Sequence, residues 1–435
     1  MKRRPVSIWV GVLLGTMAQL CWSALVSAQW ALPPDVRIEP PGQEVPASIA
    51  AFSGVWAGGA WDGILPHVVI VEQVSPTGNA AVISSWGDAP DWQLTRGFTR
   101  VQGRIDHGRL LLEYPSREAR AEYVIDAQGA LQGTYTRGSA VGKIVLTHTI
   151  LEHLDALAPR PPIPLHEESL RIPVTYATPE GGTQTWSLEA TLFRPQPTGR
   201  FPVVVFNHGS TGPGLIPVTL TLKFPIVARY FVEQRWAVLV PMRRGRGQSK
   251  GSYQESYQCG REASGIDHAV EDLDGVFHFL REQPWADVKR IVIGGASRGG
   301  LLAVVYAGRR PEAVQGVINV VGGWMGERCV PDANGQFFSD AARTATVPML
   351  WLYADHDPYY SATAIRRYRA AFEEAGGQGP FSLFSDIGGN GHYLVNKPVF
   401  WRPALDAYLQ ELGLITPPQG ESHQSFPHAR EEGTR

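Results

Sequence analysis

The chain has 435 residues, 43% of them apolar, and a formal net charge of −2. That is long enough for two domains with hydrophobic cores, and ordinary in composition for a globular protein. The near balance of 39 Lys and Arg against 41 Asp and Glu excludes binding driven by bulk charge, whether to nucleic acid or to an anionic membrane. The 13 Trp are a high number for this length and are expected mostly in cores, with a few at a pocket.

The N-terminus has the anatomy of a secretory signal peptide. Lys2, Arg3 and Arg4 form a charged start, residues 6–25 an apolar run, and Val26-Ser27-Ala28 a small-residue cleavage site before Gln29. The expectation is a signal peptide over 1–28 and a periplasmic or secreted mature protein, with an uncleaved N-terminal anchor as the alternative. Cys21 does not mark a lipidation site, because Leu20 is too bulky to precede one. No other stretch is apolar for long enough to span a bilayer, so no stable membrane insertion is expected once the signal is removed. Cys259 and Cys329 then remain, an even count that permits one disulfide in an oxidising compartment. Both fall in loops expected near one rim; two separate buried thiols are the other possibility.

Residues 48–150 read as an all-β domain. Short runs rich in Val, Ile, Leu, Tyr and Thr at 67–74, 80–86, 109–114, 121–125, 131–136 and 143–147 alternate with turn clusters such as Pro76-Thr77-Gly78-Asn79. Many short strands at regular spacing predict a small barrel or sandwich. The opening Phe52-Ser53-Gly54-Val55-Trp56-Ala57-Gly58 resembles the Gly-x-Trp start of lipocalin-type barrels. The domain is either a ligand- or polymer-binding module or a scaffold packed on its neighbour; it holds no cluster of catalytic residue types.

A Pro-rich linker is expected over 151–166, stiffest at Ala158-Pro159-Arg160-Pro161-Pro162-Ile163-Pro164. From 167 to 415 the pattern alternates between strands and helices. Strands are expected at 170–176, 187–194, 202–207, 236–241, 290–294, 314–321, 348–353 and 381–383, and helices at 226–234, 266–281, 299–308, 362–375 and 400–412. This alternation predicts a mostly parallel sheet with helices on both faces. The tail 416–435 is polar, carries Pro and Gly, and reads as disordered.

The α/β region contains G-x-S-x-G twice. Gly295-Ala296-Ser297-Arg298-Gly299 directly follows the strand Arg290-Ile291-Val292-Ile293-Gly294 and directly precedes a helix, the strand–serine–helix elbow that lifts a hydroxyl above a sheet. Gly247-Gln248-Ser249-Lys250-Gly251 sits in a Gly- and Arg-rich loop with no helix after it, so Ser297 is the candidate nucleophile. Such a hydroxyl needs a base, and the base needs a carboxylate to hold it. In the order Ser, acid, His, the base is His392 in Gly388-Gly389-Asn390-Gly391-His392. His356 adjoins the candidate acid on the same turn, and His423 and His428 lie in the tail. The acid is Asp357, with Asp355 as fallback; both stand at the C-terminal end of strand 348–353, where catalytic groups of such sheets lie. The strand ending in Asn207-His208-Gly209 leads into the loop expected to supply one oxyanion donor, the backbone N–H of Ser210, with the backbone N–H of Arg298 as the other. His208 then ties that loop and is not a base. The arginines of Arg243-Arg244-Gly245-Arg246 are read as holding a glycine turn in preference to binding substrate. Trp324, Met325, Tyr359 and Tyr360 follow strand ends and are the candidates for lining a substrate pocket.

Together these motifs resemble the dienelactone-hydrolase-like group of the α/β-hydrolase superfamily, which borders the prolyl oligopeptidase-type peptidases. The resemblance runs from about 170 to 414. It rests on Asn207-His208-Gly209, Arg244-Gly245-Arg246-Gly247-Gln248-Ser249, Gly295-Ala296-Ser297-Arg298-Gly299, Trp351-Leu352-Tyr353-Ala354-Asp355-His356-Asp357 and Gly391-His392. It implies an α/β-hydrolase fold, here preceded by a small all-β barrel or sandwich domain that dienelactone hydrolase lacks, the triad Ser297–Asp357–His392, and no metal or organic cofactor. The chain departs from dienelactone hydrolase in carrying a serine where that enzyme has a cysteine, so its lactone substrate does not transfer. The implied activity is hydrolysis of a small-molecule or polymer ester. A serine peptidase of prolyl oligopeptidase type is the first alternative, and a non-catalytic binding protein on a hydrolase fold the second.

Overall fold

The computed structural model describes residues 30–416 apart from 159–161, 179, 211–216, 256–257, 328 and 330–331. The expected signal segment and the tail beyond 416 lie outside the described residues. Among the described residues no helix is long and apolar enough to cross a membrane.

The N-terminal unit is a closed eight-stranded barrel: β1 (Gly54–Trp61), β2 (Leu65–Val74), β3 (Asn79–Trp86), β4 (Gly97–Asp106), β5 (Arg109–Tyr114), β6 (Ala119–Ile125), β7 (Leu131–Arg137) and β8 (Ala140–Thr149). Each strand pairs antiparallel with the next, and β1 closes on β8 through Val55–Thr149, Trp56–His148 and Ala57–Thr147. The two-residue period of a strand sorts side chains between inside and outside. In β5, Leu110, Leu112 and Tyr114 are buried while Arg109, Leu111 and Glu113 are exposed. β2 is buried on both faces. Val69 and Val71 point into the barrel, whereas Val68 and Ile70 are covered from outside by Trp30 and Leu154. Leu154 belongs to a 3-10 helix, Leu151–Leu157, whose Leu154 carbonyl accepts a hydrogen bond from Trp30 Nε1 at 3.3 Å. The first half of the expected linker is therefore part of the barrel's outer layer, because a leucine there has an apolar strand face to cover.

Two barrel strands escaped the sequence pattern. β1 is Gly-rich and carries an irregularity between Trp56 and Gly59. β4 alternates, but only Gly103 and Ile105 are fully buried, so its apolar face is too thin to read. Inside the barrel, His67 is buried with Nε2 at 3.4 Å from the Tyr123 hydroxyl and 3.5 Å from Ser84 Oγ, and its Nδ1 has no partner. Burial holds its pKa down to about 3.

The second unit is one eight-stranded sheet in the order β9-β10-β12-β11-β13-β14-β15-β16. Its strands are β9 (His166–Ala177), β10 (Thr183–Arg194), β11 (Phe201–Asn207), β12 (Ala237–Pro241), β13 (Ala286–Ala296), β14 (Gly316–Val320), β15 (Met349–Ala354) and β16 (Phe381–Phe384). β9, β10 and β12 pair antiparallel, and every pairing from β12 to β16 is parallel. β11, β12, β14 and β15 are buried at every residue, as strands covered on both faces must be. Helices α2 (Pro225–Glu233) and α7 (Pro398–Glu411) meet at Tyr230 and Trp401, with ring centroids 5.6 Å apart. Helices α3 (Glu262–Arg281) and α4 (Arg298–Arg309) meet at Phe277 and Tyr306, 4.7 Å apart. α6 (Ala362–Glu374) lies where the periodicity placed it, and α5 (Asn334–Ala342) is a helix the sequence reading did not find, its Asn334-Gly335 opening having the look of a turn (α1 is the single turn Ala47–Ala50 before the barrel). The chain leaves β11 for β12 on one side and returns to β13 on the other. The strand order therefore reverses between β11 and β13, which leaves a crevice at their C-terminal ends.

The barrel's fit to the sheet is partly ionic. Arg229 on α2 donates from Nε and Nη2 to the Asp91 carboxylate of the β3–β4 connection at 2.5 and 2.6 Å.

His67 makes the barrel acid-sensitive. Its folded pKa of about 3 lies below the ordinary 6.5. The stability that its neutral ring allows is therefore complete above pH 6.5 and is lost progressively as pH falls toward 3. Denaturant unfolding at about pH 7 and about pH 5 should show a loss of roughly 2 kcal/mol from this residue, which His67→Phe should remove.

Candidate active site

Ser297 stands alone between β13 and α4 with φ 57° and ψ −125°. A serine keeps that left-handed, strained backbone only where its surroundings over-determine it. Here its N–H donates to Val320 O at 3.0 Å, and its carbonyl accepts from Gly300 and Gly323 at 2.9 and 3.2 Å. The flanking glycines are dictated by closeness. A Cβ on Gly299 would collide with Asn207 O, and one on Gly295 with the Gly299 carbonyl. Across the crevice, a Cβ on Gly209 would lie 3.0 Å from Ser297 Cβ, so the β11 loop crosses Ser297 where no side chain fits. Ser210 is the next residue, and Arg298 opens α4, whose N-terminus brings positive potential to the same point.

Asp357 and His392 form the other half. His392 Nδ1 lies 2.7 Å from Asp357 Oδ2, and the Asp357 side chain is fully shielded from solvent. The other carboxylate oxygen accepts the backbone N–H of Tyr359 at 2.8 Å and of Tyr360 at 3.3 Å, which leaves Oδ2 facing the imidazole. His392 is one residue into a 3-10 helix, Gly391–Asn396, whose start is capped by Asn390 Oδ1 on His392 N at 2.8 Å. Asp355 faces elsewhere: Oδ1 takes His356 Nδ1 at 2.8 Å and Asp386 N at 3.3 Å. The geometry thus selects Asp357 over Asp355 as partner of His392. Tyr360 links the halves. Its ring lies 5.9 Å from His392 and packs against Gly323, which bonds Ser297 O. Among the described residues no hydrogen bond joins Ser297 Oγ to His392, a looseness common in such pairs before substrate arrives.

The second G-x-S-x-G is structural. Ser249 Oγ accepts Glu189 N at 2.8 Å and donates to Met242 O at 2.7 Å, so its hydroxyl is spent on backbone. His208 is structural too. Its Nε2 accepts Arg243 N at 3.2 Å, which puts the proton on Nδ1, donated to Gly209 O at 2.6 Å. Burial, with Arg243 nearby, lowers its pKa to about 3 and keeps it neutral.

The residue that sequence reasoning missed is Glu255. It is buried, ion-paired to Arg243 Nε and, at 3.5 Å, to Arg298 Nη1. Burial alone would raise its pKa, but Arg243 above all, with Arg298, overrides this and holds it at about 2. Arg243 Nη1 donates to His208 O at 2.9 Å and Arg298 Nε to Trp324 O at 2.7 Å. One carboxylate therefore joins the β11 loop, the β12 loop, the elbow and the Trp324 loop. The available signal was a lone acid between an arginine cluster and Cys259. The arginines do hold the turn: Arg244 Nε bonds Asp272 Oδ1 at 2.7 Å, and Arg246 lies 3.8 Å over the Tyr253 ring.

The structure joins Cys259 to Cys329 in a disulfide with Cα atoms 5.4 Å apart. It staples the Glu255 segment to the Trp324–Met325 loop across 70 residues of sequence, a closure that contributes about 2–4 kcal/mol. Glu262 lies within 4.8 Å of both sulfurs, but the bond occupies them and leaves one carboxylate, too little to hold a metal. Of the pocket candidates, Trp324 and Met325 are buried against Arg298 and Tyr360 is buried beside His392, so they offer substrate little surface. Tyr359 is 43% exposed, its ring 4.6 Å from that of His392.

Strand order, crevice and elbow decide the class. The C-terminal unit has the α/β-hydrolase fold. Within this hydrolase domain, residues 221–324 match the family model described as serine aminopeptidase, S33. No curated protein matches the chain. Among solved structures it is similar to an esterase of Pyrococcus furiosus, at 13% identity over 57% of this chain and 90% of that one, TM-score 0.41. It is similar to an acetyl xylan esterase from Paenibacillus sp. R4, at 15% identity over 57% and 90%, TM-score 0.38. It is also similar to a prolyl endopeptidase, at 14% identity over 80% of this chain and 51% of that one, TM-score 0.40.

Glu255→Gln should destabilise the hydrolase domain by about 3–5 kcal/mol, because it leaves two buried guanidinium groups without their counter-charge. Thermal or denaturant unfolding checks the loss, which Glu255→Asp should only partly reproduce.

Proposed function

We propose that the chain is an exported serine hydrolase that cleaves a carboxylic ester or lactone through an acyl-enzyme on Ser297. The observation that carries this reading is the strained backbone of Ser297 at φ 57°, held at the mouth of the sheet crevice. Ser297 Oγ attacks the acyl carbon and its proton passes to His392 Nε2. Asp357 keeps the proton of the neutral ring on Nδ1 and stabilises the imidazolium. The carbonyl oxygen gathers negative charge toward the backbone N–H groups of Ser210 and Arg298, above the buried Arg243–Glu255–Arg298 charges. His392 returns the proton to the departing alkoxide, and water then repeats the cycle on the acyl group.

Export is supported by the charged, apolar and small-residue run over 1–28 and by the Cys259–Cys329 bridge, a bond that persists in oxidising compartments. Ester cleavage is preferred because the companion domain is a barrel of eight strands and not the larger propeller that accompanies prolyl oligopeptidase-type peptidases. A small-molecule or polymer ester is the expected partner. The second reading, a serine peptidase, is favoured by the aminopeptidase description of the family model matched over 221–324.

A fluorophosphonate probe should label the wild-type protein and not Ser297→Ala, and short p-nitrophenyl esters should turn over faster than aminoacyl amides. Amide turnover without ester turnover would establish the peptidase, and an unlabelled wild type would refute the serine hydrolase. Asp357→Asn should lower kcat by about 10,000-fold and Asp355→Asn by far less. Ser210→Ala should cost little and Ser210→Pro should be severe, since only the second removes a backbone donor.

A further inference from the structure

The segment that carries His392 is held on both flanks by the barrel. It leaves β16 at Phe384 and re-enters regular helix at Pro398. Before His392, the β7–β8 hairpin touches it three times. Lys143 Nζ lies 3.3 Å from Asp386 Oδ2, Val141 packs where a Cβ on Gly388 would sit at 3.0 Å, and Ser139 O lies 3.2 Å from where one on Gly389 would be. Both glycines have φ near +80°, so the segment can pass this close to the hairpin only without side chains.

After His392, the 3-10 helix ends at Asn396 and Lys397 turns into the barrel rim. Its ammonium lies 3.2 Å from each oxygen of Asp62 and donates to Val141 O at 2.6 Å. Asp62 sits between β1 and β2 with φ 52°, and its Oδ1 also accepts Lys143 N at 3.0 Å. Both side chains are about nine-tenths buried. Val399 N then donates to Asp62 O at 3.4 Å. An ion pair this deep offers little net stability over an apolar pair of similar volume. It does fix a register: the ammonium, satisfied by three oxygens of the barrel, sets where the helix that begins beside His392 must end.

We propose that the barrel is a positioning domain for the catalytic base, acting through the Lys397–Asp62 contact, which holds the His392 helix in register with Asp357 and Ser297. The proposal rests on the serine hydrolase reading for its kinetic consequence, but not for its structural one. Lys397 and Asp62 are positioning residues: they touch no reacting atom and act on the base through the segment 388–397.

The test compares two interdomain ion pairs in the full-length protein. Lys397→Met and Asp62→Asn should each lower kcat for a short ester by about 10- to 100-fold, the scale of an ångström's misplacement, with KM within about twofold of wild type. Fluorophosphonate labelling should slow in parallel, and amide hydrogen exchange over 388–397 should quicken while the Ser297 elbow stays protected. Lys397→Arg should restore part of kcat. The double variant Asp62→Asn with Lys397→Met leaves no buried charge without a partner; it should fold at least as well as either single variant and keep their kcat loss. Arg229→Met, which breaks the other pair at Asp91, should lower the melting temperature without lowering kcat. Wild-type kcat in the Lys397→Met or the double variant overturns the proposal, as does an equal kcat loss in Arg229→Met. If the wild type neither labels nor turns over ester, the hydrolase reading fails by itself. Exchange then decides the positioning claim, and unchanged protection over 388–397 in Lys397→Met overturns it.

Discussion

The site depends on one buried carboxylate. Glu255 is the only acid among the described residues that pairs with both Arg243 and Arg298, and through them it fixes the loop over the nucleophile, the first turn of α4 and the Trp324 loop. Two guanidinium groups buried together repel each other and lose their water, so neither could stay without an anion between them. Once they are paired, Arg243 donates to the His208 carbonyl and Arg298 to the Trp324 carbonyl, the Tyr253 hydroxyl and the Met325 sulfur, each at a defined point. The crevice between β11 and β13 thereby becomes a rigid frame. The disulfide at Cys259, three residues before α3, keeps the carboxylate's own segment from drifting away.

Most of the hydrolase domain was legible in the sequence because parallel strands buried on both faces are unbroken apolar runs, such as Val203-Val204-Val205-Phe206. The elbow was legible because its glycines answer to a local clash. Asp357 could be put ahead of Asp355 from the sequence, but the two could not be told apart there. Two aspartates two positions apart on a turn differ only in which way the turn faces, and that is decided by the Tyr359 and Tyr360 N–H groups and by His392, 35 residues on. Glu255 was invisible for a related reason: its meaning lies in partners 12 and 43 residues away, and a lone acid in a polar loop has no period to betray it. The barrel was visible as a class. Its closure was not, since β1 and β4 carry too few apolar side chains on the inner face.

The two domains are unlike in how they use polarity. The barrel interior keeps a neutral histidine among tyrosines, whereas the hydrolase domain buries full charges in pairs. Neutral polar groups tolerate a snug apolar surround at modest cost, but charges demand complete partnership. The charged groups accordingly cluster where loops must be held, and the neutral ones where strands alone set the shape.

The Lys397–Asp62 contact joins residues 335 positions apart, one near each end of the described chain. The barrel's own contacts run almost wholly between neighbouring hairpins, the kind that close quickly. Synthesis and export both deliver the N-terminal end first, so every strand of the barrel is available before the segment bearing His392. The barrel is then the mould, and the segment 388–397 is cast against it. A chain cut short before residue 397 keeps Ser297 and Asp357 but lacks the lysine that meets the mould.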